Sequence, residues 1–469
     1  MTASAFPDPS AWMLVLVELL LLAGASLGWI VPRAAPRVLP VLTATALLAA
    51  LVAASAAGHG NASGPGTTGF LLREPLSGCV PAVLLVFGML CLLAVPLPAA
   101  PPAAPSLRHR QAAAGPSLLL AGGVLAATAS SPAIALVGLC GCGIPFVWSD
   151  RNAGEGRTPV LLLWMLAPFA LGIAVLSGTI GRPLDWAALA DERTAWGSPL
   201  ATELGALLMM VGLLAWAALF LLPPRDGERD RFRPLWIPML PVIAMLLMRV
   251  RGAASPEISG VCAVVLAAFG LWQMAAAAFG TERTDAAVRR RATGAQLGML
   301  WLSLGAGGAG GCQAAILLAL LVPVAAIAAM LAPEDGGKGT FARLMLAGLP
   351  PSGLFAADFA VLLRLWGWHS WLAVLATALL ATAIVRVVPR EAPRAAGGAS
   401  PSDGRWRDRA AIGLLILMVL AGVAMPAPVS DALLAAGEPF AAGPRADPGP
   451  AAGTGGDPGH VPAGPGGAS

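Results

Sequence analysis

The 469-residue sequence has no tyrosine, a single lysine (Lys338) and only 12% charged residues. A soluble domain carries roughly 25% charged residues, so this shortage excludes a water-soluble fold. Without tyrosine, tryptophan must supply any aromatic belt at the membrane–water boundaries. The four histidines (His59, His109, His369, His460) fall in loops, at a helix end or in the C-terminal stretch. With no lysine or histidine in the middle of an apolar run, the closely spaced titratable groups of a proton relay are largely missing. Six cysteines form no Cys-x-x-Cys pair and have no histidine nearby. Cys140-x-Cys142 offers two sulfurs where a tetrahedral metal site draws four ligands, so no metal is expected and the cysteines read as small apolar packing residues. No Walker-type loop, dinucleotide fingerprint, haem-attachment signature or nucleophile motif occurs, so no cofactor and no catalytic residue are expected in this chain.

What the sequence does have is hydrophobic length, at 57% apolar residues. Crossing about 30 Å of hydrocarbon takes about 20 residues of helix. Such runs recur at 11–31, 38–57, 79–97, 112–129, 132–148, 159–180, 201–223, 234–250, 258–279, 294–310, 312–332, 341–366, 368–388 and 410–426. The expectation is an all-α, polytopic membrane protein of about fourteen spans occupying residues 1–426. The Gly/Pro/Ala-rich residues 427–469 read as a disordered tail. The first run is longer than a signal-peptide core, has no basic stretch before it and contains Glu18, so it reads as a retained span. Gly-rich Gly305–Gly311 reads as helix packing or a tight turn rather than a phosphate loop.

Three junctions between spans are tight, at Ser130–Pro132, Gly310–Cys312 and Trp366–Trp368. Fourteen spans put all but seven of the 29 Lys and Arg on one face, the exceptions being Arg73, Arg182, Arg193, Arg249, Arg251, Arg364 and Arg445. Merging the fourth and fifth spans weakens this asymmetry. The positive-inside rule therefore favours fourteen spans, arginine-rich loops in the cytoplasm and both termini outside. The net charge of +4 is a topology signal of this kind, with no nucleic-acid partner implied.

A charge at the bilayer centre costs about 2.5–3.5 kcal/mol on insertion scales, which makes each intramembrane acid a functional candidate. There are three: Glu18 in the first span, Glu203 near the outer end of the seventh and Asp358 well inside the twelfth. Asp358 follows Gly348-Leu349-Pro350-Pro351-Ser352-Gly353, a cluster that removes two backbone donors and is expected to break the helix in mid-membrane. Gly348, Pro350, Pro351 and Gly353 are the break residues. A purely structural alternative pairs Asp358 with Arg364 near the helix end, places Glu203 in the interface, and lets Glu18 snorkel or bond a neighbouring helix.

The segment Leu346-Ala347-Gly348-Leu349-Pro350-Pro351-Ser352-Gly353-Leu354-Phe355-Ala356-Ala357-Asp358-Phe359 resembles the broken twelfth helix of the antiporter-like membrane subunits of complex I and group-4 hydrogenases, the hydrogenase-4 component F type above all. Weaker similarity runs through Gly212–Phe220 with Pro223, Pro238–Arg251, Ala292–Met299 and Gln313–Leu331. In that family the pattern is followed by an ionisable residue, and Asp358 falls on it. The resemblance implies a bacterial inner-membrane protein with other membrane subunits of a redox or hydrogenase complex as partners, and redox centres in those partners. It also implies a loss: the family's glutamate in the fifth helix falls at Cys140, its lysines in the seventh and eighth at Trp216 and near Ile243, and its His and Lys in the eleventh around Pro323 to Ala329. The scaffold is kept and most of the proton wire is not.

Three functional readings stand. The first is a membrane-arm subunit with at most a partial proton path, in which Asp358, Glu203 and Glu18 are the candidate groups. The second is a stand-alone or two-component ion or bicarbonate carrier of the same superfamily, although beside Asp358 only Gln273 and Gln313 offer midplane polarity. The third is a non-conducting assembly subunit.

Overall fold

A computed structural model of the chain describes residues 9–32, 35–59, 66–68, 71–73, 75–94, 106–153, 158–180, 184–186, 189, 199–218, 237–253, 256–280, 285–332, 337–387 and 404–423. The expected tail, 427–469, lies outside the described residues. The helices are α1 (Pro9–Ile30), α2 (Ala35–His59), α3 (Pro75–Ala94), α4 (Leu107–Thr128), α5 (Pro132–Ala153), α6 (Thr158–Ile180), α7 (Pro199–Ala218) and α8 (Leu240–Ala253). They continue as α9 (Pro256–Phe279), α10 (Asp285–Ala306), α11 (Gly308–Leu331), α12 (Gly337–Leu346), α13 (Gly353–Trp368), α14 (Ser370–Val387) and α15 (Gly404–Val423). Each expected span has a helix, and the twelfth has two, α12 and α13. Between α2 and α3 the chain forms a hairpin that the sequence reading did not anticipate, β1 (Gly66–Thr68) antiparallel to β2 (Leu71–Arg73) with Thr67 opposite Leu72.

Among the described residues seven helices are by themselves long and apolar enough to cross a membrane. The chain is a multi-pass membrane protein. Burial sorts the helices into a centre and a rim. Every residue from 237 to 250 is buried, and 83% of the apolar stretch of α11 is buried, against 28% for α1 and 22% for α6. The outward faces of the rim helices are apolar, for example Leu163 and Trp164 on α6, as a lipid-facing surface requires.

Helices in lipid associate through close packing rather than hydrophobic exclusion, and glycine is what lets two backbones approach. Facing glycines mark three helix pairs: Gly122 with Gly138 (α4–α5), Gly172 with Gly205 (α6–α7) and Gly270 with Gly298 (α9–α10). A methyl group at Gly270 would lie 2.7 Å from the Gly298 carbonyl oxygen, and one at Gly298 the same distance from the Gly270 carbonyl.

One junction differs from expectation. The α10–α11 boundary lies at Gly307, not at Gly310–Cys312, because Gly307 (φ +63°) and Gly308 (φ +68°) adopt the left-handed region that turns the chain sharply. The junction expected at Ser130–Pro132 falls at Ala129–Ser131, and the one expected at Trp366–Trp368 lies slightly further on, at His369.

Polar contacts join helix ends into two faces. Arg249, buried at the end of α8, donates to the Ala127 carbonyl oxygen at 3.1 Å and lies over the Trp186 ring, whose backbone N–H donates to the Ser130 carbonyl. Arg364 on α13 donates to the Gly307 carbonyl on that same face. At the opposite face Lys338 on α12 pairs with Asp408 on α15 at 3.0 Å, and Arg386 reaches the Gly280 carbonyl. The Lys338–Asp408 pair is solvent-exposed and contributes about 1 kcal/mol or less.

Replacing Gly270 by Val is expected to lower detergent-solubilised stability by about 1–3 kcal/mol or more, since a backbone carbonyl cannot move aside as a side chain does. Gly260 on the same helix has nothing within 4 Å of an added methyl group, so Gly260→Val is the matched control. Equal thermal melts for the two variants would contradict the close-packing assignment.

Candidate functional site

The α12–α13 break follows from local sequence chemistry. Gly348 (φ +79°) donates its N–H to the Met345 carbonyl at 3.1 Å, and Leu349 donates to the Leu344 carbonyl at 3.2 Å. These are the paired bonds of a glycine-terminated helix end, which satisfy carbonyls that would otherwise be left open. Pro350 and Pro351, joined by a cis peptide bond, cannot continue the helix. Ser352 then starts α13 as its N-cap, its hydroxyl accepting from the Phe355 N–H at 3.1 Å. The break is partly covered by protein: Pro350 and Pro351 are exposed, but Ser352 is buried, and Gly422 of α15 packs against Pro351 and Ser352 so closely that a side chain there would collide with their backbone. That cover is what non-helical backbone needs at membrane depth.

Helix α13 buries Leu354, Ala357, Asp358, Val361 and Leu365, one stripe at i, i+3, i+4 spacing. Asp358 therefore occupies a core position, only 2% exposed. Its Oδ2 accepts a hydrogen bond from Gln296 Nε2 of α10 at 3.0 Å, and Gln296 is fully buried. The pair closes over Gly348. An added Cβ there would sit 2.6 Å from Gln296 Nε2 and closer still to Asp358 Oδ2, so the glycine that ends α12 also clears the space for the side-chain contact. Asp358 Oδ1 and Gln296 Oε1 are both buried without a hydrogen-bond partner. A buried orphan acceptor costs about 1–3 kcal/mol, and a proton carried by the carboxyl converts one acceptor into a donor.

The three acids singled out in the sequence do not gather. Asp358 lies on α13, which packs on α10, α11, α14 and α15; Glu18 lies on α1, which packs on α2 and α4; and Glu203 lies on α7, which packs on α6, α8 and α9. Glu18 is half-buried, with its Oε1 buried and unpartnered. Glu203 is half-buried in the second turn of its helix. Asp358 is not paired with Arg364, whose Nε is used on the Gly307 carbonyl at 3.3 Å. The elements that bring Asp358 and Gln296 together are 62 residues apart in sequence.

Other buried polar groups escaped the sequence reading. Arg249 is 4% exposed, and Arg343, counted there among loop cations, is 9% exposed on α12, just before the break. Gln273 on α9, which the sequence did single out for midplane polarity, accepts from Trp301 Nε1 on α10 at 2.9 Å, both residues being buried. The signal for Gln296 was available: it is the one amide in the tenth apolar run, whose neighbours are Ala, Gly, Leu and Met. At the positions where the resembled family carries its other titratable groups the side chains are apolar or aromatic: Trp216 and Ile243 are fully buried, and residues 323–329 lie buried in α11. Cys140 faces outward on α5.

Among the described residues, a bundle of apolar helices that includes a broken helix, with an acid–amide pair at the break, has the form of a polytopic antiporter-like membrane subunit fold. Solved structures agree. The chain is similar to a chain of the membrane-bound sulfane sulfur reductase, an archaeal respiratory membrane complex, with a TM-score of 0.69 and 16% identity over 93% of this chain and 98% of that one. A chain of respiratory complex I from Thermus thermophilus gives 0.63 and 18% over 90% and 99%. A chain of the Mrp complex from Dietzia sp. DQ12-45-1b gives 0.65 and 15% over 93% and 97%. No family model matches the sequence, and no curated protein does.

Ser352→Ala removes one cap and is expected to cost about 1 kcal/mol. Gly348→Ala combines a left-handed backbone penalty of about 1–2 kcal/mol with collision against Gln296 and Asp358, and is expected to cost clearly more. Thermal melts of the two purified variants check the order; a Gly348→Ala protein as stable as Ser352→Ala would contradict the geometry.

Proposed function

We propose that this chain is a membrane-arm subunit of a multi-subunit respiratory or hydrogenase-like complex in a bacterial inner membrane, with its arginine-rich loops in the cytoplasm and both termini outside. It serves mainly as scaffold. Its proton chemistry is confined to Asp358, which exchanges a proton beside the α12–α13 break without a continuous relay across the bundle. Glu18 and Glu203 take structural roles at the rim. Redox centres reside in partner subunits, and residues 1–426 form one membrane domain.

The observation that carries this reading is the Asp358–Gln296 pair closed over Gly348: a buried carboxyl, hydrogen-bonded on one oxygen, at the point where helical backbone is interrupted. The fold supports it too, since the similar chains belong to complexes described as respiratory or as Mrp. A non-conducting assembly role is the second reading, favoured by the apolar residues at Trp216, Ile243 and 323–329.

Mild-detergent purification of the tagged chain is expected to bring other membrane subunits with it, equally for wild type and Asp358→Asn. In reconstituted vesicles the Asp358→Asn complex is expected to pump protons several-fold more slowly at unchanged electron-transfer rate. Unchanged pumping would transfer the assignment to the assembly role, and recovery of the chain alone would favour a stand-alone carrier.

A further inference from the structure

The α10–α11 turn carries a second polar cluster that the proton chemistry does not use. Gly307 and Gly308 are both left-handed, and each has an arginine against it from another helix. A Cβ at Gly307 would lie 2.7 Å from Arg251 Cζ of α8, and one at Gly308 would lie 2.5 Å from Arg364 Nη2 of α13. Two guanidinium groups thus converge on adjacent residues of one turn. Arg364 uses Nε on the Gly307 carbonyl, while Arg251 Nη1 is buried without a partner. Among the described residues neither arginine forms an ion pair with a carboxylate, and the thiols of Cys262 and Cys312 lie near Arg251. Gathering two cations without a counter-charge at the edge of a low-dielectric bundle is unfavourable unless an anion joins them.

Depth points to the anion's source. Arg364 is exposed, and Trp366 and Trp371, both 62% exposed, flank the same end of α13 and the start of α14. Exposed tryptophans mark the headgroup level of a bilayer, where guanidinium groups meet lipid phosphates. We propose that Arg251 and Arg364, converging on Gly307–Gly308, form a binding site for the phosphate of an anionic phospholipid headgroup, which ties α8, the α10–α11 turn and α13 together at this membrane face. The glycines are required because any side chain at either position would occupy the space of a guanidinium group.

The test uses the full-length protein in nanodiscs of phosphatidylcholine, with or without phosphatidylglycerol. Phosphatidylglycerol is expected to raise the melting temperature of wild type and to remain bound through detergent delipidation, as read by native mass spectrometry. Arg364→Gln, which alters an exposed side chain, is expected to lose both effects, and Arg251→Gln likewise where it folds. A wild type indifferent to phosphatidylglycerol overturns the proposal, as does an Arg364→Gln protein that keeps the full response. Stabilisation of the phosphatidylcholine sample by millimolar inorganic phosphate, with no response to phosphatidylglycerol, would assign the site to a soluble anion and overturn the lipid.

Discussion

Inside a bilayer every backbone N–H and C=O must find a partner within the protein, and the break between α12 and α13 is where this fold meets that constraint most directly. Six residues leave helical geometry between Leu346 and Gly353. Gly348 and Leu349 return their N–H groups to the end of α12, Ser352 caps α13, and α15 covers the turn at Gly422. The same glycine that permits the turn leaves the gap into which Asp358 and Gln296 fit. Backbone satisfaction and the placement of the buried acid are thus one arrangement, and a side chain at residue 348 would disturb both.

The rest of the interior shows what happens when polar groups are withdrawn from the midplane. Helix α8 is buried from Leu240 to Val250 and offers only apolar side chains until Arg249 and Arg251 at its end. Its charges lie at the membrane face, where Trp186, the Ala127 carbonyl and the α10–α11 turn receive them. Cohesion between helices comes instead from glycine contacts and from single amide bonds such as Gln273 with Trp301. Among the described residues the centre of such a bundle is mainly apolar.

The order and extent of the helices were legible because hydrophobic length is a strong signal, and the twelfth-span break was legible because Gly-Leu-Pro-Pro-Ser carries its own stop and start chemistry. The displaced α10–α11 junction was not: five glycines between 305 and 311 offer several equivalent turning points, and the chain turns at Gly307 and Gly308, the two against which Arg251 and Arg364 pack. The site was half legible. Asp358 announces itself as an acid in an apolar run, whereas its partner Gln296 lies on another helix and was left out when Gln273 and Gln313 were named for midplane polarity. Pairing Asp358 with Arg364 was plausible from their spacing on one helix, but the structure turns Arg364 toward Gly307.

The central claim is that Asp358, held by Gln296 at the break, is the interior group that exchanges a proton. Infrared difference spectra of the protein in lipid, recorded between acid and alkaline pH, test it most directly. The account predicts a buried-carboxyl band that shifts in D₂O, changes frequency in Gln296→Leu and disappears in Asp358→Asn. A band that survives Asp358→Asn and disappears instead on substitution of Glu18 would contradict it.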